Sequence, residues 1–243
     1  MPSELRERVM QALPEKTLNL LRSIENYAGL EIEFGLNEHP EDASVLDPNL
    51  NAPACEATHE RASILFRDGT HIDPHGVTHE LLHIQRWWVD GVPQMMPVSG
   101  VNLGITSSME NTVEHLVIVP REATFGFEPY GHWNKTERAL WSAYPWPEMH
   151  EPFARRKSCL LGWLHSDLVT EAEVIAMMRE GLGKEGLMHE AERFRLKIRE
   201  LLANKPRVVS CVTRFLNIPR HDVRLRYLDV RNRRPRIEPI PAH

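Results

Sequence analysis

Residues 79 to 83 read His79-Glu80-Leu81-Leu82-His83. On an α-helix, side chains four residues apart lie on one face a turn apart, so His79 and His83 can aim their imidazoles at a common point with Glu80 beside them. Imidazole nitrogens are ligands for zinc, and a hydrolytic zinc site takes three protein ligands and keeps one position for exchangeable water. The pair therefore needs one more side chain from elsewhere in the chain. Glu80 has a different use. It can accept the proton of water whose pKa zinc lowers to about 7, then return it to the leaving amine. The expected cofactor is Zn2+, with His79 and His83 as ligands and Glu80 as general base and acid; such ligands also tolerate other divalent ions.

The candidates for the third ligand lie in "SSMENTVEHLV": Glu110, Glu114 and His115. Glu110 and Glu114 share a helix face. Ser107-Ser108-Met109-Glu110 fits a capping box, which would give Glu110 a structural role at a helix start. Glu114 falls a turn deeper, among Val113, Leu116 and Val117, where an ionised carboxylate is costly unless a cation or hydrogen bonds receive it. Glu114 is therefore preferred, with Glu110 and then His115 as alternatives. A catalytic donor that stabilises an oxyanion is also required, and His115, Tyr130 and His132 qualify by type.

The stretch "THELLHI" resembles the active-site helix of the zincin metallopeptidases, in which the two histidines bind zinc and the glutamate is the general base. The metzincin extension is absent, because Arg86 stands where glycine is expected and Val89 where a third histidine should be. The resemblance is thus to the gluzincin arrangement, with a third-ligand glutamate on a later helix; its E-x-x-x-D/E pattern would make Glu110 the ligand and Glu114 an outer partner. "ENTVEHLVIVP" also resembles bacterial proteins that pair H-E-L-L-H with a later N-x-x-E-H, which points to Glu114, with Asn111 and His115 in support. The resemblance covers about a quarter of the chain. It implies an α+β, zincin-like fold, with a small mixed sheet packed on the motif helix and further helices on both its N- and C-terminal sides, and a peptide or protein substrate.

The elements that must position these residues are readable in part. Two amphipathic helices open the chain, from Ser3 to about Leu13 and from about Leu18 to the stop at Gly29. "LEIEFGL" alternates like a strand, residues 37 to 53 are turn chemistry, and "RASILF" at 61 to 66 is a second strand, a candidate edge for an extended substrate. Asp73 as N-cap and Pro74 in the first helical position start the motif helix, which ends near Asp90-Gly91. His71 and His75 extend the spacing backwards, but Asp73-Pro74 assigns them surface or cap roles. Trp87 and Trp88 are successive, so at most one ring can face the core fully, leaving the other for a cleft wall or partner, with core packing as the default. A helix from about Ser107 should end at Pro120, and its apolar end fits a strand equally well. Residues 121 to 153 read as aromatic-rich loops. A capping box at Thr170-Glu171-Ala172-Glu173 opens a helix to about Glu180, and another covers "MHEAERFRLKIRELLAN". Residues 181 to 186 match G-x-G-x-x-G, yet follow a helix and lead into no βαβ unit, so they read as a helix terminator and hinge rather than a dinucleotide site.

The chain of 243 residues, 42% hydrophobic and 26% charged, is long enough for a real core. Two parts are expected: a metallopeptidase core over 1–160, and a helical, basic portion over 161–243 packed on it. Charges interleave the first thirty residues and no apolar run is long enough to cross a bilayer, so no membrane partner and a cytoplasmic location are expected. Cys55, Cys159 and Cys211 have no metal or disulfide spacing. The net charge of -5 hides an asymmetry. Residues 1–190 carry 15 basic against 29 acidic side chains, and residues 191–243 carry 14 against 5. The basic end can pair with the acidic body of the same molecule, and this is favoured over nucleic acid binding. The rival functional reading is a non-catalytic regulatory or interaction protein whose basic segment binds nucleic acid or a protein.

Overall fold

The computed structural model describes residues 2–37, 53–98, 103–146, 149 and 151–242. It is a mixed α+β protein with two compact units: Met1–Pro93, Arg121–Phe127 and Arg226–Arg236 form the first, and Gln94–Pro120, Glu128–Leu225 and Ile237–His243 the second. Most of the segment expected to be turns, residues 38–52, lies outside the described residues.

In the first unit, helices α1 (Pro2–Ala12) and α2 (Glu15–Ala28) precede strand β1 (Ile32–Leu36). Gly29 closes α2 at φ 62, a left-handed conformation that costs glycine nothing. Arg6 donates to the Ile32 carbonyl at 2.8 Å and to Glu25 at 2.9 Å, while Glu25 accepts the Ile32 amide, so one ion pair ties both helices to the strand. Strand β3 (Ala62–Phe66) pairs parallel with β1 and antiparallel with β2 (Ala54–Ala57), giving a mixed sheet in the order β1-β3-β2. Helix α3 (Pro74–Trp88) packs on β2, β3 and α2. Its buried Val77, Leu81, Leu82 and Ile84 supply the apolar surface, and Thr78 donates to the Pro74 carbonyl while meeting Thr17 of α2 at 2.9 Å.

The second unit holds β4 (Gln94–Pro97), most of α4 (Leu103–Glu122), α5 (Tyr130–Ser142), α6 (Pro152–Leu164), α7 (Ala172–Lys184), α8 (Met188–Leu201) and α9 (Lys205–Phe215). Helix α5 packs on α7, and α8 on both α6 and α9. Trp133, Trp141, Leu160, Trp163, Met178, Phe194 and Val208 are among its buried side chains. Strands β5 (Val223–Asp229) and β6 (Arg234–Pro239) complete a second three-stranded sheet in the order β4-β5-β6.

Several expectations change. "RASILF" is not a sheet edge: β3 lies between β1 and β2, so its backbone groups are already paired and it cannot receive an extended substrate. Trp87 and Trp88 are both buried, at 7% and 2% exposure, with the Trp88 indole donating to the Thr58 carbonyl. Pro120 does not end α4. It lacks one amide hydrogen, but the helix runs on through Glu122 into a 3-10 turn over Ala123–Phe125, stopped by Gly126 at φ 90. The same helix begins by Leu103, so Glu110 stands two turns inside it and the capping box at Ser107 does not form. Residues 121–153 are not all loop, since they contain α5. The box at Thr170 is also unused. The Asn134 carboxamide of α5 accepts the amides of Thr170 and Glu171, the two residues ahead of α7, and the N-cap Glu171 makes no side-chain capping bond. That helix continues through Gly181 and Gly183, and Gly186 at φ 69 is the stop.

Gly181 sits where α7 meets the Trp141 ring, and a Cβ there would come 2.5 Å from a ring carbon. Gly181→Ala is expected to lower unfolding free energy by about 1–3 kcal/mol through overpacking. Gly183→Ala, in the same helix with nothing within 4 Å, should raise it by about 0.5–1 kcal/mol by restricting the unfolded chain. Denaturant melts of the two variants read both signs.

Candidate metal centre

The Asp73 carboxylate accepts the His75 amide at 3.1 Å, and Pro74 fills the first helical position, so α3 starts as the residue types dictate. Pro74 therefore begins the helix rather than severing it from the later turns. His75, His79 and His83 form one continuous row at four-residue spacing, and the surface or cap role expected of His75 is corrected. The His79 and His83 rings meet edge to face with centroids 5.0 Å apart, and His83 stacks on Trp87 at 5.3 Å.

The residue that organises this row is Glu122, at the end of α4, whose side chain is 2% exposed. Its Oε1 meets His79 Nδ1 at 2.7 Å and its Oε2 meets His75 Nε2 at 2.5 Å. Burial works to raise the Glu122 carboxyl pKa, yet the hydrogen bonds and charges of the two histidines outweigh it and carry the value below normal. Burial likewise works against charge on His79, and the bond to Glu122 together with the Glu80 and Glu122 charges lifts its pKa above the usual histidine value. In the neutral His79 ring the Nδ1 proton faces the carboxylate, leaving Nε2 with the lone pair, the form that a metal ligand takes. Arg121 donates to Gln85 at 2.7 Å, a second bond from the end of α4 to α3. His75 is further held by Phe127, stacked at 4.8 Å and 8°.

Glu80, partly buried, accepts the Cys55 backbone amide of β2 at 3.1 Å on Oε2. Burial pushes its carboxyl pKa up, with His79 and the Cys55 groups pulling partly back. A carboxylate raised toward neutrality is a more effective proton acceptor than one at the ordinary value. Burial also raises the Cys55 thiol, and the neighbouring Glu80 charge adds to it, so the sulfur stays protonated and inert.

Of the downstream candidates, Glu110 and Glu114 converge on Lys205 at the start of α9, each at 2.6 Å from its ammonium. All three are buried, with side-chain exposures of 12%, 0% and 2% for Glu110, Glu114 and Lys205. The cation that a buried carboxylate at Glu114 requires is thus supplied by a lysine. Glu110 also accepts the Met95 amide at 2.9 Å. Burial raises the Glu110 carboxyl, Lys205 opposes that, and the adjacent Glu114 charge adds to it. His115, the next residue on α4, packs its ring 4.8 Å from Trp133 and 6.5 Å from His165. It lies seven residues before Glu122, two turns along the same helix face. Tyr130 and His132 occupy the first turn of α5, where His132 meets Thr136 and the edge of Trp133.

A second carboxylate–histidine pair in the second unit was not read from the sequence. Glu137 accepts His165 Nδ1 at 2.8 Å and the Trp141 indole at 3.0 Å. His165 Nε2 is buried, with no hydrogen-bond partner among the described residues. The spacing Trp133-Glu137-Trp141 was the available signal, one helix face carrying an acid between two indoles.

The lysine and its two carboxylates are interdependent. Lys205→Met is expected to destabilise the protein by about 3–5 kcal/mol, because two carboxylates remain buried without a cation. Adding Glu110→Gln and Glu114→Gln should restore most of that loss, as read by chemical denaturation. Comparisons with protein-family models, with curated proteins and with solved structures find no match for this chain.

Proposed function

We propose that the chain is a metal-dependent hydrolase, a peptidase of zincin type, whose divalent ion is held by His79, His83 and His115. The observation that carries this reading is the Glu122 carboxylate on His79 Nδ1, which fixes the ring with its other nitrogen as a lone-pair donor. His79 and His83 lie one turn apart on α3, and His115 is one of the three downstream side chains that the sequence offers as a third ligand. Glu114 and Glu110, the carboxylates favoured on spacing, have a cation of their own in Lys205. The third ligand assigned is therefore His115. Three neutral imidazoles with a fourth position for water are a ligand set of catalytic zinc, so Zn2+ is the ion we assign. The mixed sheet behind α3 supports the zincin resemblance, since it backs the motif helix as that fold would require.

When bound, the ion polarises the scissile carbonyl and lowers the pKa of water to about 7. Glu80 takes the proton from that water and delivers it to the leaving amine; the Cys55 amide holds one carboxylate oxygen in place. Glu122 keeps His79 in one tautomer throughout.

Metal analysis of purified protein tests the ligand set directly. The wild-type chain and Glu114→Gln should each carry close to one ion per molecule. His79→Ala/His83→Ala and His115→Ala should lose it, and equal metal in the double variant and the wild type would remove the proposed centre. Glu122→Gln is expected to weaken metal affinity roughly 10- to 100-fold in a chelator competition while the protein stays folded. Glu80→Gln should keep the ion and lower cleavage of a denatured-casein peptide mixture by at least about 100-fold. Unchanged cleavage by that variant would exclude Glu80 as the base.

A further inference from the structure

Helices α6, α8 and α9 of the second unit, with Asn217 just beyond α9, border a shallow, solvent-open cavity of about 380 Å³ lined also by Arg156, Glu190, Arg193, Lys197, Arg214 and Phe215. Four cations face it and one carboxylate. None of these residues belongs to the proposed metal centre. Arg193 and Lys197 stand four apart on α8, where like charges repel, so the sequence sustains an unfavourable pairing at this spot.

The guanidinium of Arg156 is half used. Its Nη2 donates to Glu190 at 2.5 Å and to the Phe215 carbonyl at 3.0 Å. Its Nη1 is buried with no hydrogen-bond partner among the described residues. A charged donor left unpaired in this way is costly, so the guanidinium is not saturated by the protein's own acceptors. Lys197 is engaged by Glu200 in an exposed pair, which is weak and exchangeable. The Arg214 guanidinium lies 6.0 Å from the Phe215 ring centre. Among the described residues Arg193 makes no hydrogen bond or ion pair, so its fork of donors is uncommitted.

We propose that this cavity binds the phosphate group of a small phosphate monoester. A dianionic phosphate offers several acceptor oxygens, matched by guanidinium forks and an ammonium. A cavity of about 380 Å³ falls at the small end of the range for organic ligands, roughly 300–1,000 Å³. It leaves room for an organic body against the Phe215 ring. Three of the four cations belong to the basic segment 191–243, which gathers positive charge in a chain that is acidic as a whole, at -5.

Isothermal titration of the full chain with inorganic phosphate, ribose 5-phosphate, succinate and a single-stranded oligonucleotide tests the site. The expected result is that ribose 5-phosphate binds more tightly than inorganic phosphate or succinate, with affinity that falls as salt rises. Arg193→Glu should weaken the ester at least 10-fold, whereas Arg231→Glu, reversing an exposed arginine of the β5-β6 hairpin, should change it less than 2-fold. The milder Arg193→Ala, checked for folding by circular dichroism, should also weaken it. Absence of ester binding at millimolar concentration, equal weakening by Arg193→Glu and Arg231→Glu, or binding of the oligonucleotide alone would each overturn the proposal.

Discussion

The arrangement on α3 depends on one carboxylate, Glu122, shared between two imidazoles. A helix face carrying His75, His79 and His83 would otherwise present three mobile rings, each able to adopt either tautomer. The buried acid removes that freedom for two of them and holds a hydrogen bond to each. It also reverses the normal effect of burial. A carboxylate that would be protonated by desolvation stays ionised because its partners stabilise the charge. The Arg121–Gln85 bond and the Phe127 stack hold the same few residues from other sides. The proposed metal centre would gain from this, because ligand rings already set in place lose little entropy on binding.

The Lys205, Glu110 and Glu114 cluster follows a different logic. Two acids one helical turn apart repel each other, and burial penalises both. A single ammonium between them makes the combination tolerable. Such an assembly adds little net stability compared with apolar packing, but it is exacting about geometry, since removal of any one member strands the others. It fixes α4 against the start of α9 and, through the Met95 amide, against β4. In consequence the face of α4 that bears Glu110 and Glu114 is committed to the interior of its own unit.

What the sequence made legible was the local chemistry. The His79-Glu80-His83 spacing, the Asp73 cap with Pro74, the Gly29 stop and the strands at Ile32 and Ala62 all depend on residues within a few positions of each other. Glu122 was hidden because it lies 43 positions from His79 and beyond a proline that looked like a terminator. Lys205 was hidden for the same reason, 95 positions from Glu110. Strand β2, "ACEA", carries none of the branched or aromatic residues that signal a strand, and it forms because β3 offers it a partner. Helix α5 was obscured by the glutamate on its buried face. A periodicity scan counts Glu137 as solvent-facing, whereas its carboxylate is buried and accepts hydrogen bonds from His165 and Trp141.

The Asn134 contact ahead of α7 has a kinetic side. Had the Thr170 box closed, the helix would have carried its own nucleus, and its first turn could form from neighbours in sequence. With no side-chain cap of its own, and with the two residues ahead of it held by an acceptor 36 positions upstream, the entry to α7 is fixed only after α5 has itself formed and been brought alongside. Ordering of α7 is thereby coupled to a distant partner, which raises the loop entropy to be overcome and delays that helix relative to one that nucleates unaided.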